Sequence, residues 1–256
     1  MKLIIFCLLT IFIIKSKSIV NKDSPDINLD INITESPFAL SLRRNDKHIC
    51  GATIISSNWG ITAAHCVLLP VSTANYSVRA GSNYRSQGGS VHKLVNVIHH
   101  PQYNSSISDY DAGLFMVEPE FQFDNSTQPI VLPASDEEEK TDTSWGTAVG
   151  WGAYQIDDEE NLSETLKGAT LPKFDWNECE DAYYPIFPVT KNEVCYGFKN
   201  GTLDTCKGDS GGPLFSKDKI FIGITSWGDE CAESGSPGVY TSIPVIRNWI
   251  KNVTGV

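Results

Sequence analysis

Short apolar stretches bounded by turn residues recur along most of the chain. They are rich in Val, Ile, Phe and Thr and are flanked by Gly, Pro, Asn or Ser, a pattern that is typical of β-strands. The stretches with this pattern are Phe38–Leu42, Ala52–Ile55, Val91–Ile98, Gly113–Val117, Thr147–Val149, Ile220–Thr225 and Gly238–Ile243. So many short strands predict an all-β fold, built as a sandwich or as barrels.

Helical periodicity is clear only near the C-terminus. From Pro244 onward, apolar residues recur at spacings of three and four, which places them on one face of a helix. They are Val245, Ile246, Trp249, Ile250 and Val253. Proline suits a first helical turn, so we expect a helix over about 244–253.

The N-terminus has the pattern of a secretory signal peptide. Lys2 precedes the apolar run Leu3–Ile14, which is too short to span a bilayer as a helix. Ser16 and Ser18 are small residues at the spacing that signal peptidase accepts. We therefore expect a signal peptide over 1–18, cleavage after Ser18, and a secreted, extracellular domain over 19–256.

The net charge of the chain indicates which kinds of partner to expect. The formal net charge is −11, and loss of Lys2, Lys15 and Lys17 with the signal peptide would change it to −14. An acidic surface repels phosphate backbones, which excludes nucleic acid as an expected partner. The sequence offers no later segment that is long and apolar enough to anchor the chain, so we expect no membrane partner.

Cysteines and sequons both fit a secreted protein. The chain has seven cysteines. Cys7 would leave with the signal peptide, and an even number remains, which predicts three disulfides. A zinc site is the rival interpretation, which the absence of any Cys-x-x-Cys pair disfavours. Asn-x-Ser/Thr sequons predict glycosylation of surface loops; they begin at Asn32, Asn75, Asn104, Asn125, Asn161, Asn200 and Asn252.

Two motifs carry candidate chemistry. Thr62–Cys66 reads TAAHC, and Gly208–Pro213 reads GDSGGP. A serine hydroxyl needs a base to take its proton and N–H groups to bind the oxyanion that forms. Either motif alone is also compatible with a structural histidine or a tight turn, but their combination in a secreted all-β chain favours nucleophilic catalysis.

These motifs resemble those of the chymotrypsin/trypsin family of serine peptidases, and the resemblance runs from about Pro37 to Val253. Three further motifs follow the family's order: Trp59–Ile61, Gly150–Gly152 and Ser226–Gly228. The resemblance implies two antiparallel six-stranded β-barrels, over about 37–132 and 143–243, with the active site between them and a C-terminal helix. It also implies a serine endopeptidase that acts through an acyl-enzyme.

The resemblance assigns His65, Asp111 and Ser210 as the catalytic triad, in the family's order. Asp111 is followed by small and apolar residues that enter a strand, as the family pattern requires, and Asp109 is the alternative. The backbone N–H groups of Gly208 and Ser210 would form the oxyanion hole.

The same resemblance places Asp204 at the base of the substrate pocket, six residues before Ser210. A carboxylate there favours Arg or Lys before the cleaved bond. Ser226, Trp227, Gly228 and Gly238 would complete the substrate-binding site. Glu230 stands at the pocket mouth where the family often has glycine. The disulfides implied are Cys50–Cys66, Cys179–Cys195 and Cys206–Cys231.

Activation in this family pairs a new N-terminal ammonium with the aspartate before the nucleophile, which implies Ile19 and Asp209 here. The chain departs from the family's Ile-Val-Gly-Gly, because Asn21 and Lys22 replace the glycines. Residues Gly81–Gly89 contain no acid, so we expect no calcium there, no other metal and no cofactor.

Expected partners are peptide or protein substrates with Arg or Lys before the cut, together with protein protease inhibitors, and the expected state is a monomer. An alternative is a non-catalytic homologue that acts as a secreted binding or decoy protein. A different serine hydrolase, such as an esterase, is disfavoured because the nucleophile motif is not Gly-x-Ser-x-Gly between strand and helix.

Overall fold

The computed structural model describes residues 30–67, 73–134, 142–153 and 161–256. The expected signal peptide and Ile19 lie outside the described residues. The first barrel is closed by six antiparallel strands in the order β1-β2-β3-β6-β5-β4. Its strands are β1 (Ala39–Arg44), β2 (Lys47–Ile54), β3 (Trp59–Thr62), β4 (Tyr76–Ala80), β5 (Ser90–His99) and β6 (Gly113–Glu118).

The second sheet also has six antiparallel strands, in the order β8-β7-β10-β11-β12-β9. Its strands are β7 (Trp145–Gly150), β8 (Lys167–Pro172), β9 (Glu193–Tyr196), β10 (Pro213–Phe215), β11 (Phe221–Trp227) and β12 (Gly238–Ser242). The chain just after β8 reaches the outer strand β9, where Phe174 N–H donates to Cys195 O at 2.8 Å and Gly197 N–H donates to Pro172 O at 3.0 Å. The sheet is therefore barrel-like, and the expected all-β fold with two six-stranded barrels is confirmed.

Each of the seven apolar stretches overlaps a strand, namely β1, β2, β5, β6, β7, β11 or β12. Burial alternates in the first half of β5, where His92 and Leu94 are buried and Val91 and Val95 are exposed. This is the period of two that a strand with one covered face requires. The sequence pattern did not locate β3, β4, β8, β9 and β10, of which β10 has only three residues.

Two α-helices lie among the described residues. The expected C-terminal helix is α2 (Ile243–Thr254), one residue longer at each end than expected, and it buries Ile246 and Ile250. Gly255, with φ of 82°, ends it in the left-handed conformation that glycine adopts without strain. The other helix, α1 (Trp176–Tyr183), was not predicted from the sequence; its start is capped by the Asp175 carboxylate. Asp175 was the local signal for it.

The two barrels share the largest of the hydrophobic clusters among the described residues. A single cluster of buried side chains includes Leu40 and Ile54 of the first barrel with Phe215 and Ile224 of the second. The rings of Phe38 and Phe215 meet edge to face across the interface, with centroids 4.9 Å apart. Burial of this surface keeps the barrels in one relative position, so loops from both can build one site.

The part of the chain that the structure describes contains three disulfides: Cys50–Cys66, Cys179–Cys195 and Cys206–Cys231. They are the pairs that the family resemblance implies. Each closes a loop of 16 to 25 residues, for which loop-closure entropy predicts a stabilisation of about 3 kcal/mol.

The asparagines of all seven sequons are exposed. None of the helices in the described part of the chain has the length and apolar character needed to cross a membrane.

We expect Gly51→Ala to destabilise the protein by about 1–3 kcal/mol, because an added methyl would overpack the interface between the barrels. A Cβ on Gly51 would lie 2.7 Å from the Cα of Gly212, a backbone atom with no freedom to move aside. Thermal unfolding followed by circular dichroism measures the loss.

Gly113→Ala is the matched control in the same barrel. A Cβ there would make only ordinary contacts, 3.5 Å from His99 and 3.6 Å from Ala64. Equal melting temperatures for the two variants would contradict the close approach at Gly51.

Candidate active site

His65 and Asp111 are brought together by the pairing of β3 with β6. Thr62 pairs with Gly113 in this ladder, so the residues just after β3 lie beside those just before β6. His65 Nδ1 is 2.6 Å from Asp111 Oδ2, and the backbone N–H of His65 donates to Oδ1 at 2.9 Å. Because a carboxylate only accepts, Nδ1 is the donor and Nε2 is left as the acceptor.

The second barrel also binds Asp111. Ser226 Oγ donates to Asp111 Oδ2 at 2.7 Å, and Thr241 Oγ1 donates to the backbone carbonyl of Asp111 at 3.1 Å. The Asp111 side chain is fully buried, whereas the His65 side chain is 36% exposed. The carboxylate is therefore held by donors from both barrels, and the imidazole that it orients reaches the surface.

Asp109, the alternative from the sequence, is hydrogen-bonded to residues other than His65. Its Oδ1 accepts from Thr190 Oγ1 at 2.8 Å and from Asn192 Nδ2 at 2.9 Å. Asp111 is the aspartate that contacts the histidine.

Ser210 lies in a turn that is held against the first barrel. Gly51 N–H donates to Ser210 O at 2.8 Å, while Gly211 N–H donates to Thr225 O of β11 at 2.7 Å. Gly211 has φ of +81°, and a Cβ on it would lie 2.5 Å from Gly51 O, so glycine is required there. The Sγ of Cys66 is 3.6 Å from both His65 Nε2 and Ser210 O. The Cys50–Cys66 disulfide thus lies against both residues.

Gly208, the other expected oxyanion-hole residue, adopts φ of +96°, and a Cβ on it would make tight contacts, 3.0 Å from Leu162 and 3.1 Å from Gly152. Its carbonyl accepts from His48 Nε2 at 3.0 Å, and His48 Nδ1 is 2.8 Å from Ser41 Oγ. Burial lowers the pKa of His48 to about 4, so the ring is neutral at neutral pH. No local sequence pattern indicated this role for His48, because its partner Gly208 is 160 residues away.

The Asp209 carboxyl lies against the motif Gly150–Gly152. Gly152 N–H donates to its Oδ1 at 2.8 Å and Cys206 N–H to its Oδ2 at 3.0 Å. A Cβ on Gly152 would collide with this carboxyl at 2.5 Å, which explains the glycine. Burial raises the pKa of Asp209 to about 6 despite these two donors. Its expected partner, Ile19, lies outside the described residues.

A pocket of about 230 Å³ opens beside Ser210. It contains every residue expected from the sequence to bind substrate, together with others. Its lining consists of Asp204, Thr205, Cys206, Lys207, Ser210, Thr225, Ser226, Trp227, Gly228, Asp229, Cys231 and Gly238. Asp229 was not singled out from the sequence. Glu230, expected at the mouth, is exposed and is not part of this lining.

Asp204 is the enclosed acid of this pocket. Thr205 N–H donates to its Oδ1 at 2.7 Å, and a Cβ on Gly238 would lie 2.8 Å from the same oxygen. Burial raises the pKa of Asp204 to about 7, and the N–H groups of Thr205 and Ala232 offset this only in part. Among the ion pairs of the described residues, none includes Asp204.

Cys50, His65 and Cys66 place sulfur and imidazole atoms within 4.8 Å of one another. The two sulfurs are joined in a disulfide, so they are not thiolate ligands and this group does not form a metal site.

Comparison with known proteins agrees with this geometry. The family model described as Trypsin matches residues 29–250. The chain is 38% identical to Trypsin 5G1 of Aedes aegypti over 228 residues, which cover 89% of this chain and 84% of that protein. It is 35% identical to a trypsin of Phaedon cochleariae over 89% of this chain and 87% of the relative. It is 32% identical to a vitellin-degrading protease of Bombyx mori, with 89% and 84% covered. The chain therefore belongs to the trypsin family, and it is a serine endopeptidase that acts on peptide or protein substrates.

Proposed function

We propose that this endopeptidase cleaves after Arg or Lys and that His65, Asp111 and Ser210 form its catalytic triad. The observation that carries the triad is the bond of 2.6 Å between His65 Nδ1 and the buried Asp111 carboxylate. It leaves Nε2 as the proton acceptor, and the Cys66 sulfur that lies 3.6 Å from Nε2 lies 3.6 Å from the Ser210 carbonyl oxygen as well.

In the proposed reaction, Ser210 Oγ attacks the substrate carbonyl carbon while His65 Nε2 takes the hydroxyl proton. Asp111 holds the ring and stabilises the imidazolium that forms. The tetrahedral intermediate collapses to an acyl-enzyme as His65 returns the proton to the leaving amine. A water molecule, deprotonated by His65, then releases the acid and regenerates Ser210.

Backbone N–H groups of Gly208 and Ser210 would bind the oxyanion of the tetrahedral intermediates. The positive φ of Gly208 supports this role, because few residues other than glycine adopt such a conformation. The His48 ring that binds the Gly208 carbonyl holds this turn from the opposite side. Removing one oxyanion donor typically raises the barrier by roughly 3 kcal/mol.

The Arg/Lys preference rests on the environment of Asp204. Its carboxyl is enclosed, receives backbone N–H donors and has no cationic partner among the described residues. Enclosing a carboxylate without a counter-charge is unfavourable, and a guanidinium or ammonium group from the substrate relieves this penalty. An apolar side chain would leave the charge unpaired, which disfavours it strongly.

Secretion is supported by two features of the chain. Three disulfides are typical of proteins that fold in an oxidising compartment. The seven exposed sequon asparagines are accessible to glycosylation.

We also propose that the ammonium of Ile19, once exposed by cleavage after Ser18, pairs with Asp209. Asp209 accepts two backbone N–H bonds, and among the described residues no cationic side chain pairs with it. An ammonium group would offset the unfavourable burial of its charge.

We expect Ser210 to react covalently with a fluorophosphonate, with the adduct located by mass spectrometry. Asp111→Asn should slow labelling by about a thousandfold or more, because the wrong histidine tautomer then faces Ser210. Asp109→Asn is the matched control and should label normally, since Asp109 does not contact His65. An unlabelled Ser210 in the correctly processed wild type, beside a labelled trypsin, would instead favour a non-catalytic homologue.

We expect a panel of fluorogenic peptides to be cut after Arg and Lys, with little cleavage after Phe, Leu or Ala. Asp204→Ser should lower kcat/KM for the Arg peptide by orders of magnitude, because it removes the enclosed charge. Asp229→Ser, at the solvent-exposed part of the same pocket, should have a much smaller effect. An Asp204→Ser variant that still prefers Arg would refute the assignment.

We expect Edman degradation of the active secreted protein to start at Ile19, because a free ammonium at that residue is the proposed partner of Asp209. Active protein with any other first residue would refute this processing site.

A further inference from the structure

Glu193 is a buried acid that the proposed catalytic steps do not use. It begins β9, lies on the second barrel and is only 2% exposed. Its Oε1 accepts from Trp227 Nε1 at 2.7 Å, and its Oε2 accepts from the backbone N–H of Thr190 at 2.7 Å. Trp227 is one of the residues that line the substrate pocket, together with Asp204 and Ser210, so Glu193 is hydrogen-bonded to a residue of the pocket wall.

We propose that Glu193 is a positioning residue, which holds the Trp227 indole in the orientation that lets a peptide occupy the pocket. The inference rests on the proposed substrate pocket but not on the proposed triad. Glu193 itself does not line the pocket, so it acts through Trp227.

The donors around Glu193 require a carboxylate. Trp227 Nε1 and Thr190 N are both N–H donors and neither can accept. An ionised carboxylate provides an acceptor oxygen for each, whereas a glutamine would turn its amide N–H₂ towards one of them. A methionine of similar shape would accept from neither. The charged acceptor also makes the stronger bond to the indole.

The other interactions of the Trp227 indole among the described residues are ring contacts, so the hydrogen bond to Glu193 is the contact that fixes the direction of Nε1. The rings of Tyr183 and Phe187 pack against the indole at 4.7 Å and 4.6 Å between centroids, both edge to face. Tyr183 is itself fixed by its hydroxyl, which donates to Pro237 O at 2.5 Å. Ring packing limits tilting of the indole, but it does not select the direction of Nε1 as a hydrogen bond does.

The charges near Glu193 do not explain its presence as a stabilising residue. Asp109, on the far side of Thr190, is also an acid and disfavours a second negative charge. Trp227 of β11 is uncharged, and so is Thr241, the β12 residue that pairs with Glu193. The nearby cation of Lys191 lies over the Trp176 ring instead. A charged carboxylate in this position destabilises the folded state. We therefore expect Glu193 to contribute to substrate binding rather than to stability.

The direction of the pH effect follows from this environment. Burial raises the pKa of Glu193 to about 7, although the bonds from Thr190 and Trp227 lower it in part. Below that pH the carboxyl gains a proton while Trp227 Nε1 and the Thr190 backbone N–H can still only donate, and the bond to the indole weakens. The Trp227 Nε1–H resonance of ¹⁵N-labelled protein, assigned by its loss in Trp227→Phe, should therefore shift as the pH falls through about 7.

The main test measures peptide binding without cleavage. A fluorescent hexapeptide with one arginine is titrated into Ser210→Ala and into Ser210→Ala/Glu193→Met, and fluorescence polarisation at pH 8 gives Kd. We expect Glu193→Met to weaken binding about tenfold, the effect of losing one hydrogen bond to a charged group. Glu193→Gln should weaken it less, and it serves as the second variant if Glu193→Met folds poorly.

Two controls separate positioning from general damage. In a Trp227→Phe background, which lacks the indole donor, Glu193→Met should produce no further change in Kd. With Ser210 restored, Glu193→Met should react with a small fluorophosphonate at the wild-type rate, because this reagent does not need the pocket wall.

Equal Kd values with and without Glu193, a loss that persists in the Trp227→Phe background, or an indole resonance that titrates unchanged in Glu193→Met would each overturn the proposal. Failure of the wild type to label at Ser210 would overturn the proposed triad alone. If Kd still depended on Glu193 in that case, the result would support the proposal that Glu193 positions the Trp227 indole.

Discussion

The buried carboxylate of Asp111 is the group on which the geometry of the site depends. It accepts two bonds from His65 of the first barrel and one from Ser226 of the second. A shift of one barrel relative to the other would break at least one of these bonds in a fully buried place, where an unmade hydrogen bond is most unfavourable. The packing of the two barrels therefore also fixes the alignment of His65.

The turn that carries Ser210 is also held between the two barrels, in this case by backbone atoms. Gly51 and Gly211 bring the chain of the two barrels so close that neither position has room for a side chain. The hydrogen bond from Gly51 N–H to Ser210 O then fixes the turn relative to the strand that carries Cys50. Because the disulfide partner of Cys50 follows His65 directly, the base and the nucleophile are held from one strand.

Three further acids, Asp204, Asp209 and Glu193, share an environment. Each carboxyl is enclosed and accepts at least one backbone N–H group, and burial raises its pKa, to about 7, 6 and 7 respectively. A folded-state pKa above the unfolded value means that the native state binds more protons, so these groups stabilise the fold less as the pH rises through 4 to 7. At neutral pH they disfavour folding, which disulfides and the shared core offset. Enclosed charges of this kind concentrate at functional sites.

Local sequence patterns predicted much of the fold. Apolar stretches that end at turn residues located seven strands, and the spacing of Ile246 and Ile250 located the C-terminal helix. The remaining strands were missed because short or polar segments such as β10 pair through tertiary contacts that no local pattern records. Helix α1 was missed because it has only eight residues, half of them polar, and only its Asp175 cap marks it.

The sequence by itself determined the candidate chemistry of the site, because TAAHC and GDSGGP are local motifs and the residues around them stand in a family order. Only the tertiary structure decided which side chains meet. It placed Asp111 rather than Asp109 on His65, His48 on the Gly208 carbonyl, and Glu193 on Trp227. These contacts join residues 34 to 160 positions apart, and their energies depend on burial and on the direction of each donor. Those quantities exist only once the two barrels have packed together.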